Sequence, residues 1–264
     1  MSNIITYSKK GTIEYYLNAQ DLQLPEKTIL KIYSSELSSM KMLDIGVGGG
    51  RTTLHFSNLT KEYLGIDYSK EMISACKERF FESVKKNIDF ETVDVRDMSS
   101  IKSQEFDFIL FSFNGIDYIS HDDRLQAFKE IHRVGRPGGI FCFSTHNLNY
   151  ARRIFSVRSL VTAKPTQLLK RFRAYKNLWR HNKAGLKIVN DSGVLYSIFL
   201  DGAFDFSLST YHIDPSSQFH QLQNTGLFEN IKMYSLITGR EVSYESNNKN
   251  TLFDPWIYYT CNFV

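Results

Sequence analysis

The chain has 264 residues, of which 42% are hydrophobic, and a formal net charge of +4. This length can bury one sizeable core with an inserted element but falls short of two full domains. No run of about eighteen uncharged apolar residues and no secretory signal is present, so we expect a cytoplasmic protein without a membrane partner. Cys76, Cys142 and Cys261 are widely spaced, so we expect packing residues and no metal site.

The first predicted elements are helices over residues 12–37, interrupted at Pro25. We expect this segment to flank the site as a lid, with Tyr7, Tyr15 and Tyr16 closing over it. Five short apolar runs then alternate with amphipathic stretches: MKMLDIG, EYLGID, NIDFETVD, FDFILFSF and GIFCFST. Each has the length and composition of a strand buried on both faces. The alternation predicts a parallel sheet with right-handed helical crossovers.

Two of the intervening helices have clear boundaries. One begins at Ser69, a favourable N-cap residue. The other begins within residues 120–123, presents apolar side chains at three-residue steps and ends at the turn GRPGG. We expect the apolar faces of both helices to pack on the sheet.

The alternation of predicted strands and helices ends after the fifth strand, where a basic segment begins. Residues 147–190 contain eleven Lys or Arg and no Asp or Glu, although the whole chain has 32 basic and 28 acidic residues. A predicted helix in TQLLKRFRAYKNLWRH is followed by strand-like alternation up to residue 214, and a helix and two strands, FENIKMYSL and WIYYTCNFV, close the chain. Such a segment can attract an anionic partner, and a solvated helix face is the alternative.

The strongest local motif is LDIGVGGGRTT, in which an acidic residue ends a strand and glycines lead into a helix. Asp44, Gly46, Gly48 and Gly50 give the spacing D-x-G-x-G-x-G. Glycines allow positive φ and a close approach of a ligand to the helix N-terminus. A dinucleotide site would need its third glycine at position 51, which is Arg51, so NAD and FAD are disfavoured. A simple turn remains the alternative for such a loop alone.

A second acidic residue follows about twenty positions later, where EYLGID ends in Asp67. Its place at a strand end suits an acceptor for the two hydroxyls of a ribose. The alternative is that Asp67 only caps the next helix, a role for which Ser69 is better placed.

Together with VDVRDM, FDFILFSFNGIDYI and RVGRPGGIFCFSTHN, these motifs resemble the class I S-adenosylmethionine (SAM)-dependent methyltransferase family over residues 41–147. The resemblance implies a doubly wound α/β fold with a mostly parallel, seven-stranded Rossmann-like sheet and a basic helical and strand insert after the fifth strand. It implies one domain over residues 1–264. Its parts are a lid (1–39), a SAM-binding core (40–147), a substrate-side insert (148–215), and a C-terminal helix with closing strands (216–264).

The resemblance also implies SAM as cofactor, S-adenosylhomocysteine (SAH) as product, and roles for particular residues. The glycine loop would hold the methionine part, Asp67 the ribose, and Asp94 with the N–H of Val95 the adenine. Core packing is the alternative for Phe113. The expected cofactor-binding residues are Asp44, Gly46, Gly48, Gly50, Asp67, Tyr68, Met72, Asp94, Val95, Phe111 and Phe113.

Methyl transfer needs alignment of the acceptor and, for a hydroxyl, a base that removes its proton. We expect His146 to be that base, because free imidazole titrates near pH 6.5, and Asn114 to line the catalytic site. The alternative is that His146 and Asn147 hydrogen-bond the start of the insert. Further candidates for the base are His121, His212, Tyr211 and Tyr16.

We expect the acceptor to be a small, anionic molecule that is methylated on oxygen, such as a phosphorylated or nucleotide-linked sugar of bacterial surface-glycan synthesis. Predicted substrate contacts are Tyr16, Asn147, Arg152, Arg153 and Tyr211, with Arg158, Lys170, Arg171 and Arg173 as further basic candidates. The alternatives are N-methylation of an amino sugar or metabolite, RNA or protein methylation, and a non-catalytic SAM-binding module. We expect no extended nucleic acid partner and a monomer or homodimer.

Overall fold

A computed structural model of the chain describes residues 10–81, 87–155, 165–182, 193–243 and 253–264. Its apolar runs form strands because β-branched and aromatic side chains fill both faces of a sheet. The described strands are β1 (Lys41–Ile45), β2 (Glu62–Asp67), β3 (Ile88–Thr92), β4 (Phe106–Phe111), β5 (Gly135–Asn147), β6 (Tyr196–Leu200), β7 (Ser209–Ile213), β8 (Phe228–Ser235), β9 (Glu241–Val242) and β10 (Trp256–Phe263).

Helices cover the sheet, and their ends follow ordinary capping chemistry. The side chain of Ser69 accepts a hydrogen bond from the N–H of Met72, and Ser120 does the same for Asp123. Pro25 begins a helix rather than interrupting one, because proline fits a first turn. The described helices are α1 (Lys10–Asn18), α2 (Leu24–Tyr33), α3 (Thr53–Phe56), α4 (Lys70–Arg79), α5 (His121–Val134), α6 (Leu148–Ile154), α7 (Pro165–His181) and α8 (Pro215–Thr225).

The sheet has the order β3-β2-β1-β4-β5-β10-β8-β9. The first five strands are parallel, and β10 lies antiparallel between β5 and β8. The predicted mostly parallel Rossmann-like sheet is therefore confirmed. The described sheet has ten strands rather than the seven predicted, because β9 adds a short edge and the insert adds β6 and β7, which joins the end of β5.

Both faces of the sheet are packed with apolar side chains. One face carries stacked phenylalanines, including Phe141 and Phe143 against Phe128 of α5. The opposite face packs against α2 and α4. The three cysteines are buried and unpaired, as predicted for packing residues. In the described ranges, none of the helices combines the length and the apolar character that crossing a membrane requires.

Strand order fixes the position of the site. β1 pairs with β2 on one side and with β4 on the other. The chain runs outward from β1 through β2 to β3 and then returns to β4, so the strand order reverses between β1 and β4. In open α/β sheets, ligands bind in the crevice that forms at the carboxyl ends of the strands at this point. The sheet therefore places the loops after β1, β2, β4 and β5 around one crevice.

Candidate functional site

The loop after β1, here called the glycine loop (residues 46–50), is held in a conformation that requires glycine. Gly46, Gly48 and Gly50 have φ angles of 64°, 53° and 77°, in the left-handed region that other residues rarely adopt. The N–H of Gly48 donates to Asp67 at 3.0 Å, which ties the loop to the end of β2. The loop therefore presents bare backbone to the crevice.

Two predicted cofactor residues support this loop instead of lining the crevice. The Asp44 carboxylate points into the fold and accepts from Thr52 and from the Tyr63 hydroxyl at 2.5 Å. Burial raises the pKa of Asp44 to about 6. A Cβ at Gly50 would lie 2.4 Å from the Phe80 ring, so this glycine permits the packing of α4. Asp44 and Gly50 therefore lie outside the cavity lining and support the loop.

A cavity of about 260 Å³ lies above the glycine loop. It brings together nine of the eleven predicted cofactor residues and Tyr16. The side chains and backbone that line it are Tyr16, Ile45, Gly46, Gly48, Asp67, Tyr68, Met72, Asp94, Val95, Arg96, Phe111, Ser112, Phe113, Gly115, Tyr118, Ile119, Ser120 and Asp123.

Asp67 is the central polar group of this cavity. Its side chain is buried, and its two oxygens accept from the N–H groups of Gly48 and Ser69 at 3.0 and 2.9 Å. Each carboxylate oxygen can accept a further hydrogen bond, so the pair can receive two adjacent hydroxyls. Burial raises the pKa of Asp67 to about 6. Asp67 accepts from the Ser69 N–H at the start of α4, but the side chain that caps α4 is that of Ser69. Capping of the helix alone therefore does not account for Asp67.

Asp94 lies at another part of the lining, at the end of β3. Arg96 binds it in a forked geometry, with Nε 2.9 Å from Oδ1 and Nη2 2.6 Å from Oδ2. Partial burial opposes ionisation, but the hydrogen bonds and charge of Arg96 outweigh it and lower the pKa of Asp94. Sequence reasoning missed Arg96, whose signal was its place two residues after Asp94. This pair orders the segment that carries the Val95 N–H.

An aromatic lid covers the glycine loop. Tyr16 of α1 lies 3.5 Å from the position that a Cβ on Gly48 would occupy, and its ring stacks on Phe204 of the insert at 6.3 Å. Tyr15 contacts Tyr16 edge-on at 5.4 Å but is 55% exposed. Tyr7 lies outside the described residues. Of the three predicted lid tyrosines, the structure brings Tyr16 to the cavity.

A buried ion pair anchors α2 beside the loop and explains the arginine at position 51. Arg51 donates to both oxygens of Glu26, at 2.6 and 2.7 Å, and also to Ser112 at 2.9 Å. Burial opposes ionisation of Glu26, but Arg51 lowers its pKa below the usual value. Ser112 lines the cavity, so this network connects α2 to its wall. The sequence offered no local signal for this long-range pair.

The chain turns sharply after β4. Phe113 and Asn114 have φ angles of 54° and 60°, which are unusual for residues other than glycine and concentrate at functional sites. Phe113 lines the cavity, so the core-packing alternative does not describe it fully. The N–H of Asn114 donates to Ser144 Oγ at 2.8 Å, and its side-chain Nδ2 lies 3.3 Å from His146 Nε2. The Asn114 Oδ1 atom is buried and has no hydrogen-bond partner among the residues that the structure describes.

His146 lies at the end of β5 with one nitrogen facing a buried carboxylate. Its Nδ1 is 2.7 Å from Asp117 Oδ2, and its backbone N–H donates to the same oxygen at 2.6 Å. Its side chain is 14% exposed. Sequence reasoning missed Asp117, although FNGIDYI placed an acid just after β4. His146 and Asn114 are adjacent to each other and lie outside the cavity lining.

The other candidate bases take part in packing. The Tyr211 hydroxyl pairs with His121 Nδ1 at 2.9 Å, and its ring lies under the Arg124 guanidinium. His212 is buried against Phe199 with ring centroids 4.3 Å apart, and burial lowers its pKa. Tyr211, a predicted substrate contact, uses its hydroxyl within the fold and lies outside the cavity lining.

Three predicted substrate residues at the start of the insert also bind their own chain. Asn147 caps α6 and donates to the carbonyl of Asp254 at 3.0 Å, which supports the structural alternative for this residue. Arg152 donates to Asn149 at 3.0 Å and to Val194. The Arg153 guanidinium stacks on Phe253 at 4.3 Å. Arg158 and the side chain of Lys170 lie outside the described residues.

Comparisons with known proteins agree with this geometry. Residues 42–139 match the family model described as a methyltransferase domain. The ubiquinone biosynthesis O-methyltransferase of Nitrobacter winogradskyi is 30% identical over 172 residues, which cover 62% of this chain and 63% of that protein. In three curated relatives, the matched region spans 42%, 63% and 50% of their own length.

Solved structures share the fold over nearly the whole chain. A SAM-dependent methyltransferase from Mesorhizobium loti gives a TM-score of 0.60 at 14% identity and covers 90% of this chain and 97% of that one. The 1,6-didemethyltoxoflavin-N1-methyltransferase of Burkholderia thailandensis gives 0.57 at 11% identity and covers 98% and 88%. At such identities the likeness shows the fold.

Proposed function

Because the chain belongs to the class I SAM-dependent methyltransferase family, we propose that it transfers the methyl group of SAM to an oxygen atom of a small acceptor. The observation that carries the proposal is Asp67, a buried carboxylate with spare acceptor capacity beside a glycine loop of bare backbone. Asp67 can accept hydrogen bonds from the two ribose hydroxyls, and the glycine loop lets the methionine part of the cofactor approach the backbone closely. SAM is the cofactor of this family.

Each part of the cavity suits one part of the cofactor. Gly46 and Gly48 would hold the methionine part through backbone, Asp67 the ribose hydroxyls, and the segment from Asp94 to Val95 the adenine. Tyr68 and Met72 supply an apolar wall for the adenine ring. When bound, SAM supplies an electrophilic methyl group on a positively charged sulfur. The chain's own task is to align the acceptor, exclude water and remove a proton.

O-methylation is favoured because a candidate base, His146, lies next to Asn114, whose chain neighbours Phe113 and Gly115 line the cavity. We assign proton removal to His146 Nε2, which faces the Asn114 amide at 3.3 Å while the opposite ring nitrogen faces Asp117. The relative from Nitrobacter winogradskyi carries an O-methyltransferase name, which supports the same choice. Asn114 would orient the acceptor.

We further propose that the acceptor is anionic, as in a phosphorylated or nucleotide-linked sugar or metabolite such as a surface-glycan intermediate. The support is the basic segment of residues 147–190, which has eleven Lys or Arg and no acidic residue. Since Arg152 and Arg153 are engaged within the fold, the contact would fall on other cations. Arg173, which is exposed on α7, is one such residue.

The test is SAH formation by the full chain with hydroxyl acceptors offered in matched pairs, with and without a phosphate group. We expect kcat/KM to be at least about tenfold higher for the phosphorylated members, because one charge-assisted contact is worth roughly 1.5–3 kcal/mol. Preference for the neutral members would contradict the anionic acceptor. Turnover of RNA or protein, with binding that weakens steeply as salt rises, would favour a macromolecular acceptor.

The ring of Tyr16, which lies over the glycine loop, is expected to contribute to SAM binding. We expect Tyr16→Ala to weaken SAM binding about tenfold, since roughly 1.5 kcal/mol of apolar burial over the glycine loop is lost. The matched control is Tyr15→Ala, which removes the exposed neighbouring tyrosine and should leave the SAM Kd within about twofold of the wild-type value. Equal effects of the two substitutions in a calorimetric titration would contradict a specific role of Tyr16.

A further inference from the structure

We propose that Asp117 is a positioning residue that holds His146 in the tautomer with its proton on Nδ1, which leaves the lone pair of Nε2 available to accept a proton. The tautomer of His146 follows from the contacts of Asp117, whereas its role in removing a proton rests on the proposed function. The pair was not predicted, because Asp117 and His146 are 29 residues apart in the chain.

The geometry around His146 selects this tautomer. Asp117 lies on a turn of 3-10 helix (Gly115–Tyr118) directly after β4. Its Oδ2 atom accepts both the backbone N–H and the ring Nδ1 of His146, at 2.6 and 2.7 Å. An ionised carboxylate can only accept hydrogen bonds, so Nδ1 is the protonated nitrogen. Two contacts from one oxygen to one residue also fix the plane of the ring.

The carboxylate itself is immobilised and its charge is compensated. Asp117 is fully buried, and its Oδ1 atom accepts from the Arg124 guanidinium and from Thr145 Oγ1 at 2.6 Å. Arg124 is equally buried and also donates to Gln218 at 2.7 Å. A buried carboxylate paired in this way is held in one orientation. It therefore offers His146 a fixed acceptor.

The groups on the other side of the ring agree with a lone pair on Nε2. Asn114 Nδ2, a donor, lies 3.3 Å from it. The ring centroid of His212 lies 4.9 Å from that of His146, and burial lowers the pKa of His212, which favours its neutral form. Trp256 contacts the ring edge-on at 5.9 Å and contributes apolar surface.

His146 and Asp117 can together accept the proton of the acceptor hydroxyl. The acceptor O–H bond would break as the Nε2–H bond forms. The electron pair left on the acceptor oxygen would bond the methyl carbon while the carbon–sulfur bond breaks, and SAH would leave with that electron pair on sulfur. His146 then carries protons on both nitrogens, and the negative charge of Asp117 at Nδ1 offsets its positive charge. The imidazolium returns the Nε2 proton to water before the next cycle. An amide at position 117 would donate to Nδ1 and leave Nε2 protonated.

Nitrogen-15 NMR of the full chain, labelled at histidine and free of acceptor, tests the tautomer directly. In the wild type we expect His146 to show a protonated Nδ1 and an unprotonated Nε2, with its signals assigned from their loss in His146→Gln. In Asp117→Asn we expect the two nitrogens to exchange roles. The matched control is Asp201→Asn, which alters the carboxylate 3.4 Å from His212 and should leave the His146 signals unchanged.

Methyl transfer supplies the second readout. We expect kcat for Asp117→Asn to fall at least about 100-fold through the wrong tautomer, with an unchanged SAM Kd. A wild-type His146 with its proton on Nε2 would overturn the inference, and the wild-type spectrum decides this even if Asp117→Asn does not fold. The expected tautomer combined with full activity of His146→Gln would instead refute the proposed base and leave the Asp117 pair intact.

Discussion

Asp67→Asn is expected to weaken SAM binding about 100-fold. The substitution keeps the shape of the side chain but removes the charge and replaces one acceptor oxygen with a donor. Two charge-assisted hydrogen bonds to ribose hydroxyls, each worth at least roughly 1.5 kcal/mol, account for this factor. The new amide also meets the N–H of Gly48 or Ser69, both of which now donate to Asp67, so the glycine loop loses a support as well. Calorimetric titration with SAM measures the change.

The control for Asp67→Asn is Asp89→Asn, which alters an exposed carboxylate on β3 outside the cavity lining. Its SAM Kd should match that of the wild type. If Asp67→Asn binds SAM within about threefold of the wild type, a difference below 1 kcal/mol, Asp67 does not bind the ribose.

The same carboxylate makes binding depend on pH. Burial raises the pKa of Asp67 to about 6 in the free protein, whereas hydroxyl donors favour the ionised form. SAM affinity should therefore fall as the pH is lowered from 7 to 5, and Asp67→Asn should reduce this dependence.

The stability of the free protein responds to pH in the opposite direction. Because the pKa of Asp67 is higher in the folded protein than in the unfolded chain, its protonated carboxyl group stabilises the fold. This stabilisation is fully present below about pH 4 and is lost as the pH rises through about 6.

His146→Gln is expected to lower kcat by roughly 100-fold to 10,000-fold, the usual range for loss of a general base. Glutamine can still hydrogen-bond to Asn114 but cannot accept the acceptor's proton at neutral pH. The SAM Kd should not change, because His146 lies outside the cavity lining. Initial rates of SAH formation, with the acceptor identified by the phosphate-pair screen, measure the effect.

The matched control for His146→Gln is His121→Gln, which alters the histidine paired with Tyr211 and should change kcat less than about threefold. Equal rates for wild type and His146→Gln would mean that the acceptor loses its proton without this side chain. Alignment and exclusion of water would then account for catalysis.

The elements that the sequence predicts well are those with local signals. Each apolar run between turn residues became a strand, and Ser69 and Ser120 cap the helices that begin after them. The cavity lining was predictable for the same reason, because the glycine loop and Asp67, which line it, are defined by short motifs at strand ends. Only the insert strands and the short β9 were absent from the predicted sheet.

The acceptor half was harder to predict because it depends on contacts between distant residues. Asp117, Arg124 and His146 meet only after β4, α5 and β5 have assembled. Asn147, Arg152 and Tyr211 have the chemistry of substrate contacts, yet the fold uses them to anchor the insert. A sequence shows which groups can bind a ligand but not which of them the fold has already paired.

The most direct test of the account is a calorimetric titration of the full chain with SAM, SAH and NAD⁺ in parallel. The account predicts micromolar binding of SAM and SAH, on the order of −8 kcal/mol, and no measurable binding of NAD⁺, since Arg51 occupies the position of a third glycine. Tighter binding of NAD⁺ than of SAM, or no binding of SAM even with the acceptor panel present, would contradict the assignment of the cavity.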